Sequence, residues 1–143
     1  MRLETGFTVL ELMIAVAIVA ILAAIAVPGY SDYVTRGKLT EAASNLGAQR
    51  VKLEQFYQDL RTYTGACVVG TVAPPISGKY FDYKCEIAAD GQTYLIRATG
   101  KGTEGMGGFE FTVDQSNNRA TVAAPSGWTV QPNCWIRNKG GEC

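Results

Sequence analysis

The chain has 143 residues, 47% of them hydrophobic, with 13 basic side chains against 13 acidic ones and no histidine. Interspersed and balanced charge gives no lysine or arginine stripe for a polyanion, and the missing histidine removes the commonest general base and the commonest metal ligand. No serine or cysteine nucleophile has a recognisable base and no carboxylates can be placed as a pair, so neither an enzyme nor a metal or cofactor site is expected.

The sequence opens on MRLETG, a hydrophilic stretch ending in Gly6, and then turns apolar. Phe7 to Val27 is a run of 21 residues with one ionisable side chain, Glu11. As a helix it would be about 31 Å long, the thickness of a bilayer's hydrocarbon core. A secretory signal is the rival reading, with AAIAVPGY resembling a cut site near Ala26. Its apolar region is usually only about 7 to 15 residues long. Glu11 lies four positions into the run, where a carboxylate costs on the order of 3 kcal/mol on insertion scales. One account is a partly hydrated position at the headgroup boundary; the other is a partner that compensates the charge.

Gly6, Phe7, Thr8, Leu10 and Glu11, in the order G-F-T-V-L-E-L-M-I-A-V-A-I, resemble the class III leader and assembly helix of type IV pilins and type II secretion pseudopilins. The resemblance is nearly continuous from Gly6 to Tyr30. It implies cleavage between Gly6 and Phe7 by a prepilin peptidase that also N-methylates Phe7. It further implies that Glu11 pairs with the Phe7 amine of a neighbouring subunit, or with its own, as the helix passes from lipid into a filament. Two charges that are each costly in apolar surroundings become tolerable together, and a subunit out of axial register would leave both unpaired. The leader departs from the family pattern in having Arg2 as its only basic side chain, offset by Glu4, which weakens the positive-inside signal. The expected divisions are a leader at 1–6, a hydrophobic transmembrane and assembly helix at 7–28, and a periplasmic or extracellular head at 29–143.

Pro28 and Gly29 end the apolar run, and a proline there removes a helical hydrogen bond and bends the axis. The helix is expected to resume, because Leu39, Ala42, Ala43, Leu46, Leu53, Phe56, Tyr57 and Leu60 recur at helical intervals. A continuous helix from Phe7 to Leu60 would be about 81 Å long, too long for a head of this size to cover. Half of it should protrude.

Beyond an irregular stretch from Arg61 to Lys79, alternation begins. Phe81, Tyr83, Cys85 and Ile87 mark one strand, Tyr94, Ile96 and Ala98 a second, Phe109, Phe111 and Val113 a third, and Ala120 and Val122 a short fourth. Short links favour an antiparallel sheet packed on the Leu39 to Leu60 stripe, an α+β head. Gly100-Lys101-Gly102-Thr103-Glu104-Gly105 satisfies G-x-G-x-x-G, but a strand-like FEFTV follows it where a nucleotide site needs a helix. A mobile hairpin loop is the simpler reading.

The four cysteines, Cys67, Cys85, Cys134 and Cys143, are spaced at 18, 49 and 9 positions with no C-x-x-C pair. Disulfides are expected outside the cytoplasm. Three pairings are open, of which Cys67 with Cys85 and Cys134 with Cys143 closes the two shortest loops. The tail holding Trp128, Cys134, Trp135 and Cys143 resembles the C-terminal disulfide-bounded region of type IVa pilins, with the tryptophans in a core or an interface. The earlier cysteine pair and the ending CWIRNKGGEC are more similar to the PilE branch of minor pilins than to abundant fibre subunits.

The resemblance therefore implies a pilus subunit, with a minor pilin first, a major type IVa pilin second and a type II secretion pseudopilin third. Implied partners are other pilin subunits, the prepilin peptidase and methyltransferase, the inner-membrane assembly machinery and, before assembly, the inner membrane itself. The final location would be the cell-surface pilus. Some members of the family take up DNA, for which the neutral charge adds no support here.

Overall fold

The computed structural model describes residues 6–143, so the expectations about Arg2 and Glu4 lie outside the described residues. The described chain contains a helix α1 (Val9–Leu60, 52 residues) and the strands β1 (Phe81–Ile87), β2 (Tyr94–Gly100), β3 (Glu110–Asp114) and β4 (Arg119–Ala123). Two compact units are present, Met1–Val34 and Thr35–Cys143.

In the first unit every side chain from Phe7 to Ala26 is exposed. The residues are mainly Ala, Leu, Ile, Val and Met, of which Ala, Leu and Met are strong helix formers. The helical assignment runs through Pro28 and Gly29 without a break, although proline necessarily leaves one backbone bond unmade.

In the second unit α1 is amphipathic. Leu39, Ala42, Leu46, Gln49, Leu53 and Phe56 are buried at alternating intervals of three and four, the repeat that keeps one helix face toward a core. Leu60, expected on the same stripe, is 58% exposed. The helix stops there, as Arg61 adopts a left-handed conformation (φ 57°) and donates its N–H to the Tyr57 carbonyl at 2.7 Å.

The sheet is an antiparallel meander in the order β1-β2-β3-β4. Cys85 is paired with Ile96, which is paired with Val113; Tyr83 is paired with Ala98, which is paired with Phe111. This register puts Phe81, Tyr94, Ile96, Ala98, Phe111 and Val113 in one core with the α1 stripe. Burying each large apolar side chain stabilises the fold by about 1.5 to 3 kcal/mol. The fourth strand differs from expectation. Its buried residue is Thr121, while Val122 is 51% exposed. A bulge at Glu110/Phe111 shifts the pairing so that Thr121 faces Phe111, and the polar side chain is satisfied there: its hydroxyl donates to the Cys134 carbonyl at 2.7 Å and accepts the Ile136 N–H at 3.1 Å.

The link after β2 is fastened to the head by specific contacts. Met106 is fully buried, its N–H bonds the Lys101 carbonyl at 2.9 Å, and Lys38 donates to the Glu104 carbonyl at 2.6 Å. Gly100 is required here because a Cβ would stand 1.9 Å from the Met106 carbonyl oxygen. The glycine spacing thus serves close backbone packing, and the chain passes from a short 3-10 turn (Gly102–Glu104) into β3.

Candidate assembly and processing site

Gly6, Phe7 and Glu11 fall at the start of α1. Gly6 and Phe7 precede the helix, and Phe7 is 74% exposed. Thr8 is the N-cap: its hydroxyl accepts the Glu11 N–H at 3.2 Å, and its carbonyl accepts the Leu12 N–H at 3.1 Å. Glu11 is consequently the third helical residue, with an exposed carboxylate at the positive end of the helix dipole. Thr8, one of the motif residues, thus has a capping role of its own beyond the motif. The signal was present, since Thr-x-x-Glu before an apolar run is the pattern of a capping box.

From Val9 onward the helix is long and apolar enough, by length and composition, to cross a membrane. Tyr30 and Tyr33 follow the apolar run and are both exposed. Tyrosine's apolar ring and polar hydroxyl suit the headgroup layer of a bilayer.

The head carries its own fastenings. Cys67 pairs with Cys85 and Cys134 with Cys143, with Cα–Cα separations of 6.3 and 5.9 Å. The first bond joins the stretch after α1 to β1. Two polar side chains of α1 hold the same stretch: buried Gln49 donates to the Pro74 carbonyl at 2.8 Å, and Glu41 accepts the N–H groups of Lys79 and Tyr80 at 3.1 and 2.9 Å. Trp128 meets Phe109 edge-on at a centroid distance of 4.9 Å, and Trp135 donates its indole N–H to the Thr112 carbonyl at 2.8 Å. Both tryptophans are half-buried against the core.

Near the end of α1, the Glu54 carboxylate accepts hydrogen bonds from the hydroxyls of Tyr63 and Tyr94, each at 3.2 Å. Burial, then the Glu54 charge, pushes the Tyr63 phenol up to about 12 and raises that of Tyr94 as well. Both remain protonated near neutral pH and act as donors that fix the carboxylate. Among the described residues no cluster of three or more metal-ligating side chains is present.

The described chain thus combines an apolar helix long enough to cross a membrane with a disulfide-fastened α+β head. Residues 1–27 match the prokaryotic N-terminal methylation motif, and residues 28–107 match the family described as type IV minor pilin ComP, DNA uptake sequence receptor. The chain is 37% identical over 102 residues to the fimbrial protein EcpC of Eikenella corrodens, an alignment covering 71% of this chain and 66% of that protein. It is 31% identical over 146 residues to a type IV major fimbrial protein FimA of Dichelobacter nodosus, covering 97% and 85%. The head shares its fold with the Neisseria meningitidis non-core minor pilin PilV, at a TM-score of 0.53 and 14% identity over 66% of this chain and 93% of that one. The chain belongs to the type IV pilin family and carries a domain of the ComP minor-pilin kind. These relatives are structural subunits, not enzymes.

Proposed function

We propose that this chain is a minor subunit of a type IV pilus, inserted in the bacterial inner membrane, cut between Gly6 and Phe7, N-methylated on Phe7 and drawn into the filament through its N-terminal helix. The observation that carries this reading is the fully exposed apolar run with a single carboxylate in its first helical turn. A membrane covers such a surface, and so do the equivalent helices of other subunits. The second setting adds a cationic partner for Glu11 beyond the chain's own terminus, the Phe7 amine of a neighbouring subunit. Prepilin peptidase and the inner-membrane assembly machinery are the partners that this route requires.

The ComP match and the PilV-like fold favour a minor subunit that helps to initiate the filament or is incorporated in it; the FimA relationship keeps the major-pilin reading in play, with a secretion pseudopilin third. Abundance decides. A minor pilin will be a small fraction of sheared fibre mass, and a chain forming most of that mass would overturn the assignment. N-terminal sequencing and mass analysis will find methylated Phe7 first, and Gly6→Val will leave uncut precursor in the membrane. Any other mature terminus would refute the processing step.

The ComP match also favours a second reading, in which the head contacts DNA. Such binding would rest on lysine and arginine contacts to phosphate and would weaken steeply with salt. Retention of duplex DNA by the mature protein at 50 mM but not 200 mM salt would support it, and no retention at either would remove it.

A further inference from the structure

Thr8 does more in this chain than start a helix. In water a frayed first turn costs little, because the freed N–H groups hydrate. In hydrocarbon each unsatisfied amide is expensive, and between Phe7 and Val27 the only polar side chains are those of Thr8 and Glu11. The Thr8 hydroxyl spends its acceptor on the amide of Glu11 itself, at 3.2 Å.

We propose that Thr8 is the positioning residue for Glu11: by closing the first turn, it fixes the height of the carboxylate along the helix axis relative to the residue 7 amine. This inference rests on the assembly reading above and supplies what makes a register of it. The first turn is three residues, Val9 to Glu11. Unwound from about 1.5 Å to about 3.3 Å per residue, they would move the terminus some 5 Å relative to Glu11. An ion pair tolerates no more than about 4 Å between its charged atoms. A capped turn therefore selects one subunit offset, whereas an uncapped one accepts several.

The test compares Thr8→Val, which keeps the shape and removes the acceptor, with Thr8→Ser, which keeps the acceptor, alongside Glu11→Gln and the Thr8→Val/Glu11→Gln double variant. Two quantities are measured in the full chain: the fraction of subunit in sheared filaments, and hydrogen exchange of the Glu11 amide in detergent micelles. Thr8→Val is expected to lower both incorporation and Glu11 amide protection by about fivefold, the usual loss for an N-cap. Thr8→Ser should restore both. The double variant should be no worse than Glu11→Gln alone, since Thr8 acts through Glu11.

Normal incorporation of Thr8→Val, or a double variant reduced by the product of the single losses, overturns the proposal while leaving the assembly reading standing. If Glu11→Gln itself assembles normally, the assembly reading fails and this inference falls with it. Should Thr8→Val escape cleavage, the exchange measurement decides without it: unchanged protection of the Glu11 amide overturns the proposal.

Discussion

The two units of this pilin solve the same problem, apolar surface, in opposite ways. In the head, Leu46, Leu53, Phe81, Phe111 and Ile136 are each less than 2% exposed, so the chain buries its own hydrophobic residues. From Phe7 to Ala26 it buries none. That segment has no stable setting in water and needs either lipid or other subunits, so its sequence answers to intermolecular requirements. The head answers to intramolecular ones. A substitution in one unit should therefore leave the other's behaviour untouched, and that separation can be tested.

The largest effect is expected at Glu11. Glu11→Ala removes a charge from the apolar run, which favours membrane insertion by on the order of 3 kcal/mol, yet under the proposed pairing it leaves the partner amine alone in the filament, at a cost of about 3 to 5 kcal/mol. Cleavage should persist and incorporation should fall by at least about tenfold, with thermal unfolding of the head unchanged. Normal incorporation would sink the registry role. A lowered unfolding temperature of the head would break the separation itself.

The converse substitution is Phe111→Ala. Its ring lies among Phe81 and Phe109 at centroid distances of 5.8 and 6.2 Å, so truncation should destabilise the head by about 3 to 5 kcal/mol while insertion and processing proceed. Denaturant unfolding of the mature protein in detergent measures the first, and N-terminal sequencing the second. Loss of cleavage in this variant would mean that the head influences what happens at Gly6.

How legible each unit was follows from the same division. Strand positions could be read because a sheet with one buried face enforces alternation: β1, β2 and β3 contain or adjoin the residues proposed for them. The helical stripe is visible in its leucines and alanines, but buried Gln49 is polar and adds nothing to a hydrophobic periodicity. The interval of seven between Leu46 and Leu53 marked the place, with Gln49 filling the stripe between them. Thr121 and Met106 are harder cases. Thr121 is buried because a bulge turns it inward and the Cys134 to Ile136 backbone meets its hydroxyl, and Met106 because a glycine-rich link folds back on Gly100. Such long-range partners leave no periodic trace. At the N-terminus the motif from Gly6 to Glu11 was readable as a resemblance, whereas the Thr8 cap needed only the helix-start pattern.

The disulfides grade the head's stability below its core. In the chain-entropy picture, closing the 18-position Cys67–Cys85 loop contributes about 3 kcal/mol and the 9-position Cys134–Cys143 loop about 2.5. Replacing each pair by serine should lower the denaturant midpoint in that order. A larger loss at Cys134–Cys143 would show that the tail's contacts through Thr121 and Trp135 depend on its closure.

The smallest expected effect is a pH dependence belonging to the head alone. Tyr63 and Tyr94 both donate to Glu54, and burial beside that carboxylate pushes the Tyr63 phenol from about 10 to about 12. The folded chain holds this proton more tightly than the unfolded chain, so unfolding releases it above pH 10. The stability it contributes is intact below pH 10 and is lost as pH rises through about 12. Denaturant midpoints taken between pH 8 and 12 should therefore stay level to about pH 10 and then fall. Tyr63→Phe removes the titrating hydroxyl and should flatten part of that fall, while lowering the plateau because Glu54 loses one of its donors. The same titration should leave the Glu11 amide's exchange, corrected for intrinsic base catalysis, unaffected, because Glu54 and both tyrosines belong to the other unit. A fall in midpoint already complete by pH 9 would assign the alkaline sensitivity to some other group.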